Sequence, residues 1–364
     1  MRSINSSNAF LIEISSYEQF ERIVIQEHPN RNTSTVNVTN LFGYYAYPTE
    51  ITLMIVLVVA LFVNGLVGNL FVLHRIISMQ RELRSLYGRG AWSGMVVQRY
   101  LLLLTLNDLL VTILIPMLIP YLFYGQWLLG EFACKLYYCI ESINKLLSVH
   151  ILTALAIERY CVVRQSVAHT CRLNGRIVSS IYLLIAALFV LSLLPFLSRV
   201  QVEIIPMPQN VTTCISPLPD NLLEIFVVYS FLQSYCIPAF VIAFCYIALI
   251  RILKQRYINT PISETTKTHL VQKVTVSIMS VTLFHFTCWS PFWFCFLLPN
   301  MSMTKHIVDQ IPFFPILQMF SVICPYINCS GNWVFYVLLN KRLRRQIFRR
   351  SSSHATCERM LNRN

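Results

Sequence analysis

Long apolar stretches alternate with short polar ones along the whole chain. Seven apolar runs stand out, at roughly 51–76, 101–124, 133–162, 177–198, 222–253, 270–298 and 308–338. A helix of ~20 mostly apolar residues crosses the hydrocarbon core of a bilayer, and each run reaches that length. The third run differs from the others. From Cys134 to Tyr160 it reads CKLYYCIESINKLLSVHILTALAIERY, so Glu141, Asn144, Lys145, Ser148 and His150 interrupt an apolar span. Lipid cannot satisfy such groups, so they face a bundle interior or a wet cavity. Glu141, Asn144 and Ser148 recur at spacings of three and four, which places them on one helical face. The pattern predicts an all-α membrane protein, a seven-transmembrane helix bundle with the third helix as its central post.

Composition fits that reading. Hydrophobic residues make up 55% of the chain and charged residues 12%, against roughly 25% charged in soluble domains. The net charge of +13 would suit a nucleic-acid partner, but the basic residues flank apolar runs and form no groove-sized patch. Their distribution reports orientation instead. Arg75, Arg81, Arg84, Arg89 and Arg99 separate runs one and two, and Arg164, Arg172 and Arg176 separate three and four. Arg251, Lys254, Arg256, Lys267 and Lys273 lie between five and six, and Lys341 to Arg350 follow run seven. The opposite loops carry few positive charges. The N-terminus is therefore expected outside the plasma membrane and the C-terminus in the cytoplasm. Glycosylation acceptor triplets at Asn5, Asn32, Asn37 and Asn210 fall on the same outer side. MRSINSSNAF lacks the apolar core of a secretory signal.

Three regions result: an extracellular glycosylated tail (1–50), the seven-span domain (51–339) and a cytoplasmic end (340–364). Residues 77–100 read as a long first cytoplasmic loop. In NKRLRRQIFRR, Leu343, Ile347 and Phe348 share one helical face among basic residues. That suits a short amphipathic helix on anionic membrane lipid, with a solvated basic tail as the alternative. Cys357 beyond it is either a palmitate site or a free thiol. Cys134 and Cys214 both fall on the outer side, where disulfides persist, and are expected to be bonded. Neither repeat symmetry nor interrupted spans suggest a transporter.

Short motifs in order along the runs sharpen the picture. They are GNLFVL with Asn69, LTLNDLL with Asp108, Trp127 ahead of Gly130 and Cys134, and Glu158-Arg159-Tyr160. Pro195, then Pro238 followed by Tyr246, then CWSP at Cys288 to Pro291, and NWVFY at Asn332 to Tyr336 complete the series. Over residues 50–350 the chain resembles rhodopsin-like (class A) G-protein-coupled receptors. Within them, ESIN in run three and FVVYSFLQSYCIPAFVIAFCY in run five are similar to somatostatin, opioid and allatostatin-type peptide receptors. QVEIIPMPQNVTTCI has alternating stretches around a proline-rich turn, suited to a hairpin over the pocket. The chain departs from the pattern at Trp333, where the seventh-helix motif has proline, and at His285, where phenylalanine is usual. Ile185 and Ser166 replace a usual tryptophan and a usual proline.

The resemblance implies roles for particular residues. Glu141 matches the acidic position that anchors a ligand cation in peptide and amine receptors. Lys145, four residues on, offers the competing reading of an internal ion pair. Tyr326 is placed to orient Glu141, and it stands where opsins carry the retinal lysine, which counts against an opsin. Trp289, Phe292 and Trp293 would form an aromatic floor and wall, while Phe296 reads as packing. Ser230 and Ser234 are either ligand contacts or helix-packing residues. Asp108, Asn144, Ser148, Asn328 and Asn332 match an allosteric sodium site, with a hydrogen-bonded cluster lacking an ion as the alternative. No other metal and no cofactor is implied. Glu158, Arg159, Tyr160, Tyr246 and Tyr336 match the G-protein coupling switch, with Pro291 as a kink in run six and Trp333 as a modifier.

The expected function is transmission of binding of an extracellular neuropeptide to heterotrimeric G proteins. Arrestin and receptor kinases are further expected partners, with Ser351, Ser352 and Ser353 as candidate kinase sites. A biogenic-amine receptor and a non-signalling ligand scavenger remain the alternatives. No catalytic constellation faces water, so an enzyme is not expected.

Overall fold

A computed structural model describes residues 48–87, 92–124, 126–165, 175–205, 211–215, 218–259, 265–308, 310–311 and 313–339. Helices α1 (Pro48–Tyr87), α2 (Trp92–Tyr124), α3 (Gly130–Gln165) and α4 (Gly175–Ser192) come first. Strands β1 (Gln201–Ile205) and β2 (Val211–Ile215) form an antiparallel hairpin. Helix α5 consists of Asp220–Phe231 and Ile237–Asn259, joined through a π-helical turn at Leu232–Cys236. Helices α6 (Thr265–Asn300) and α7 (Phe314–Leu339) complete the bundle. The expected sites Asn5, Asn32, Asn37, Asn210 and Cys357, and the amphipathic segment after 339, lie outside the described residues.

A span must satisfy its own backbone because lipid offers no hydrogen bonds, so each apolar run becomes a helix. Among the described residues, five of the helices contain stretches long and apolar enough to cross a membrane, and a shorter apolar stretch, Ser180–Phe196, begins in α4 and continues past its end. The helices outlast the apolar runs. Helix α1 continues to Tyr87 and α2 begins at Trp92, so most of the loop expected at 77–100 is helical. Beyond the lipid, polar side chains are solvated while the backbone ladder continues, and Gln80 to Arg84 are good helix formers. Helix α4 ends earlier than its run. A turn breaks it at Leu193, and Pro195 sits in the first turn of the helical segment Leu194–Leu197. The π turn in α5 lies just ahead of Pro238, whose missing N–H interrupts the regular ladder.

Burial identifies the central post. Within the apolar window of α3, 67% of residues are buried inside the protein, against 28% for α1. Val56, Val63, Val67 and Leu70 of α1 are exposed at helical spacing and form its lipid face. Buried polar residues run down the bundle axis instead: Asn69, Asn107, Asp108, Asn144, Ser148, His285, Asn328 and Asn332. Between membrane helices the driving force is close packing and polar contact, not exclusion of water.

Candidate functional site

One end of the bundle is built by α3 and the hairpin. Cys134 near the start of α3 is bonded to Cys214 in β2. Gly130 opens α3 with φ 76°, a left-handed backbone that suits glycine. Trp127 ties the preceding loop to both elements. Its indole donates to the Gly130 carbonyl at 2.9 Å, and its backbone N–H donates to the Thr212 carbonyl at 2.7 Å. Tyr138 donates to the Cys214 carbonyl at 3.0 Å. The hairpin is thus held to α3 by the disulfide and the Tyr138 hydrogen bond, with Trp127 bridging the two from the preceding loop.

Beneath it, a small cavity of about 30 Å³ opens between α3, α5 and α6. Lys145, Ser142, Ser230 and Ser234 supply its polar wall, and Leu193, Phe226, Trp293 and Phe296 contribute to the apolar one. The Lys145 ammonium lies 4.8 Å from the Phe292 ring centroid, a cation–π contact. Ser234 donates to the Ser230 carbonyl, while the buried Ser230 Oγ has no hydrogen-bond partner. Trp293 packs at 5.5 Å on Phe231 and at 5.8 Å on Phe296.

The eight residues expected around a ligand divide into two groups. Lys145, Trp293, Ser230 and Ser234 line the cavity, and Phe296, read from sequence as packing, joins them. Glu141, Tyr326, Trp289 and Phe292 do not line it. Glu141 is buried and close enough to Lys145 and Tyr326 to interact with both, and its Oε1 has no hydrogen-bond partner. The Tyr326 hydroxyl is shared with Tyr137 at 2.8 Å. Trp289 lies against Phe292 at 5.6 Å and His285 at 5.7 Å.

Halfway down, the buried polar residues form two hydrogen-bonded strings. In one, Asn107 donates to Asn144 Oδ1 and to Ser148 Oγ, each at 2.8 Å, and Ser148 donates to Asn144 at 3.0 Å. In the other, His285 Nδ1 meets Asn328 Oδ1 at 3.2 Å, and Asn328 donates to Asn332 at 3.1 Å. Asn332 and Tyr336 then donate to Asp108 Oδ2, at 3.1 and 3.4 Å. Cys329 bridges the strings through a contact of 3.7 Å with Asn144 Nδ2. Sequence reasoning missed Asn107 because it neighbours Asp108. Successive helical residues point about 100° apart, so one faces α3 and the other α7. The carboxylate, amide and hydroxyl oxygens suit a hard monovalent cation. In this conformation, however, Asn332 and Tyr336 direct donors at the Asp108 carboxylate.

At the opposite end of the bundle, Arg159 Nε and Glu158 Oε2 lie 2.9 Å apart, a charge contact without hydrogen-bond alignment. Tyr160 accepts from Arg164 at 3.1 Å, and Tyr246 meets Thr282 at 3.4 Å. Trp333 lies against Gly68 of α1. A Cβ built on Gly68 would sit 2.2 Å from Trp333 Cδ1 and Nε1. Nothing in a single helix announces that contact.

The family model described as the 7 transmembrane receptor (rhodopsin family) matches residues 68–336. The chain belongs to this family. Its relatives include neuropeptide receptor 18 of Caenorhabditis elegans, 30% identical over 67% of this chain and 56% of the relative's length. A probable G-protein coupled receptor of the same worm is 27% identical over 82% of this chain and 68% of that protein. Human melanin-concentrating hormone receptor 1 is 24% identical over 78% of this chain and 76% of its own length. The matched stretch thus spans little more than half of the first relative. For a receptor of this family, the departures at His285 and Trp333 occupy defined places. His285 joins α6 to Asn328 of α7, and Trp333 fills the space above Gly68.

Proposed function

We propose that this rhodopsin-family receptor is activated by an extracellular peptide and passes that signal to heterotrimeric G proteins. Its N-terminus would lie outside the plasma membrane, and arrestin and receptor kinases would meet its cytoplasmic end. The observation that carries the peptide reading is the hairpin of strands Gln201–Ile205 and Val211–Ile215. It is fastened to α3 at the bundle mouth above a pocket with charged, hydroxyl and aromatic walls. The names of the neuropeptide and melanin-concentrating hormone receptors support the same ligand class. Lys145 on the cavity wall speaks against the amine alternative, because it sets a cation where an amine's charge would go.

Glu158 and Arg159 are already in contact, which suits a resting inner end. Activation would free Arg159, with Tyr246 and Tyr336 holding the open form. Asp108, Asn144, Ser148, Asn328 and Asn332 would hold sodium in the resting state, since an ion shifts an equilibrium only by its differential affinity.

The test is G-protein activation by surface-verified receptor challenged with a neuropeptide library and an amine panel. A peptide response that Arg159→Ala abolishes supports the proposal. Responses to amines alone would refute the peptide reading. A second reading, a non-signalling scavenger, draws on Trp333 and His285. Peptide uptake with no G-protein response in both wild type and Trp333→Pro would favour it.

A further inference from the structure

We infer that Asn107 sets how strongly the buried cluster of Asp108, Asn144, Ser148, Asn328 and Asn332 takes sodium, because its amide donors already occupy the α3 oxygens. Asn107 is not one of the five. It is a positioning residue that competes with the cation for Asn144 and Ser148. This rests on the sodium reading proposed above and adds to it a residue that tunes the affinity.

On the α3 side the lone pairs are in use. Asn144 Oδ1 accepts from Asn107 at 2.8 Å and from Ser148 at 3.0 Å, with the Cys329 thiol 3.8 Å away as a weaker third donor. An amide oxygen has two lone pairs, so this one is filled. The Ser148 hydroxyl spends its proton on Asn144 and accepts from Asn107 at 2.8 Å. Asn107 thus gives one Nδ2 proton to each of the two α3 residues. All three side chains are buried, so water does not compete for these bonds.

The Asp108 side differs. A carboxylate offers about four lone-pair sites. Asp108 Oδ2 takes the Asn332 amide at 3.1 Å and the Tyr336 hydroxyl at 3.4 Å, with the Cys329 thiol a weak further donor. The carboxylate therefore keeps room for a cation, while the α3 oxygens are withheld from it. Asn107 and Asp108 are adjacent in sequence, and consecutive helical positions point about 100° apart. Neighbours in α2 therefore act on opposite halves of one cluster: Asp108 supplies charge, and Asn107 occupies the oxygens that would complete the shell.

A hard cation needs oxygen lone pairs, so use of Asn144 and Ser148 requires both Asn107 bonds to break. Two such hydrogen bonds together correspond to roughly 5–150-fold in an equilibrium constant. Removing the donors removes that cost and strengthens sodium binding by the same factor.

The experiment uses full-length receptor purified in detergent with no peptide present, and sodium itself as the probe. Apparent Tm is recorded against sodium concentration, with N-methyl-glucamine keeping ionic strength constant. An ion that binds the folded form raises Tm with its concentration, so the onset of the rise reports affinity separately from the starting stability. Wild type, Asn107→Leu, Asn107→Asp and Asp108→Asn are compared. Asn107→Leu donates nothing, and Asn107→Asp keeps the shape but replaces donors with acceptors. Both are expected to move the sodium response to concentrations roughly 5–150-fold lower, even where the lost bonds lower Tm without sodium. Asp108→Asn should abolish the response.

Coincident sodium curves for wild type and Asn107→Leu, with Asp108→Asn flat, would overturn the inference and leave the sodium site standing. A gain in Asn107→Asp alone would also overturn it, since the added carboxylate and not the lost donors would then be responsible. Sodium that stabilises none of these receptors removes the site and the inference together. If Asn107→Leu does not fold, Asn107→Ala makes the same comparison.

Discussion

Gly68→Ala tests the packing of α1 on α7 directly. The added Cβ would stand 2.2 Å from Cδ1 and Nε1 of Trp333 and 2.4 Å from Cγ, where carbon atoms normally rest ~3.5–4.0 Å apart. Relief needs a displacement of about 1.5 Å at that contact. Cγ is the root of the indole, so the ring cannot swing clear at its tip. The helices are also clamped on both sides of the contact. Asn64 Nδ2 donates to the Ser330 carbonyl at 2.8 Å, and Asn69 Nδ2 donates to the Cys329 carbonyl at 3.0 Å. Parting α1 from α7 would stretch both bonds beyond hydrogen-bond range. Overpacking costs typically 1–3 kcal/mol, and each strained bond adds about 0.5–1.5 kcal/mol. A destabilisation of ~2–6 kcal/mol follows, or roughly 3–8 °C in apparent Tm for a chain of this length. The assay is thermal unfolding of detergent-purified receptor, run as a double-mutant cycle with Trp333→Ala. In the Trp333→Ala background, Gly68→Ala should cost almost nothing, because the ring it collides with is gone. A Gly68→Ala receptor as stable as wild type, or equal costs in both backgrounds, would refute the interlock.

Three further outcomes are expected. His285→Phe deletes the 3.2 Å contact with Asn328; losing about 0.5–1.5 kcal/mol of restraint between α6 and α7 should raise basal G-protein signalling by up to roughly tenfold, and unchanged basal signalling would count against the tether. Replacing sodium with N-methyl-glucamine should raise agonist affinity in wild type and have no effect in Asp108→Asn; equal affinity in both salts would leave the Asp108 cluster as a hydrogen-bonded network only. Cys214→Ser frees the hairpin from α3, which should lower surface expression and peptide potency together, as expected for losing a stabilisation of ~2–5 kcal/mol, and normal potency would dissociate the hairpin from ligand binding.

Much of the fold was legible from the chain. Lipid demands a closed backbone and an apolar exterior, so seven apolar runs suffice to order seven helices. The polar residues of run three mark it as central, because only the middle of the bundle can solvate Asn144 and Ser148. Cys134 and Cys214, too, are bonded as expected. The helix ends were harder to read. Hydropathy records where lipid stops, while α1 continues to Tyr87 on hydrogen bonds that take no notice of that boundary.

What the sequence determined by itself was the list of spans, their order and the chemical inventory of the interior. Tertiary structure alone decided which groups meet. Glu141 and Lys145 are one helical turn apart in every reading, yet only the rotation of α3 against α5 and α6 puts the lysine on the cavity wall. Asn107 enters the network because α3 stands beside it, and His285 reaches Asn328 across 43 positions of chain. Trp333 could be read as a departure from a motif, but not as the partner of Gly68, because that contact joins the first helix of the chain to the last. Helical periodicity is local and sets which residues share a face. The packing of helices against one another is not local, and it decides what each face meets.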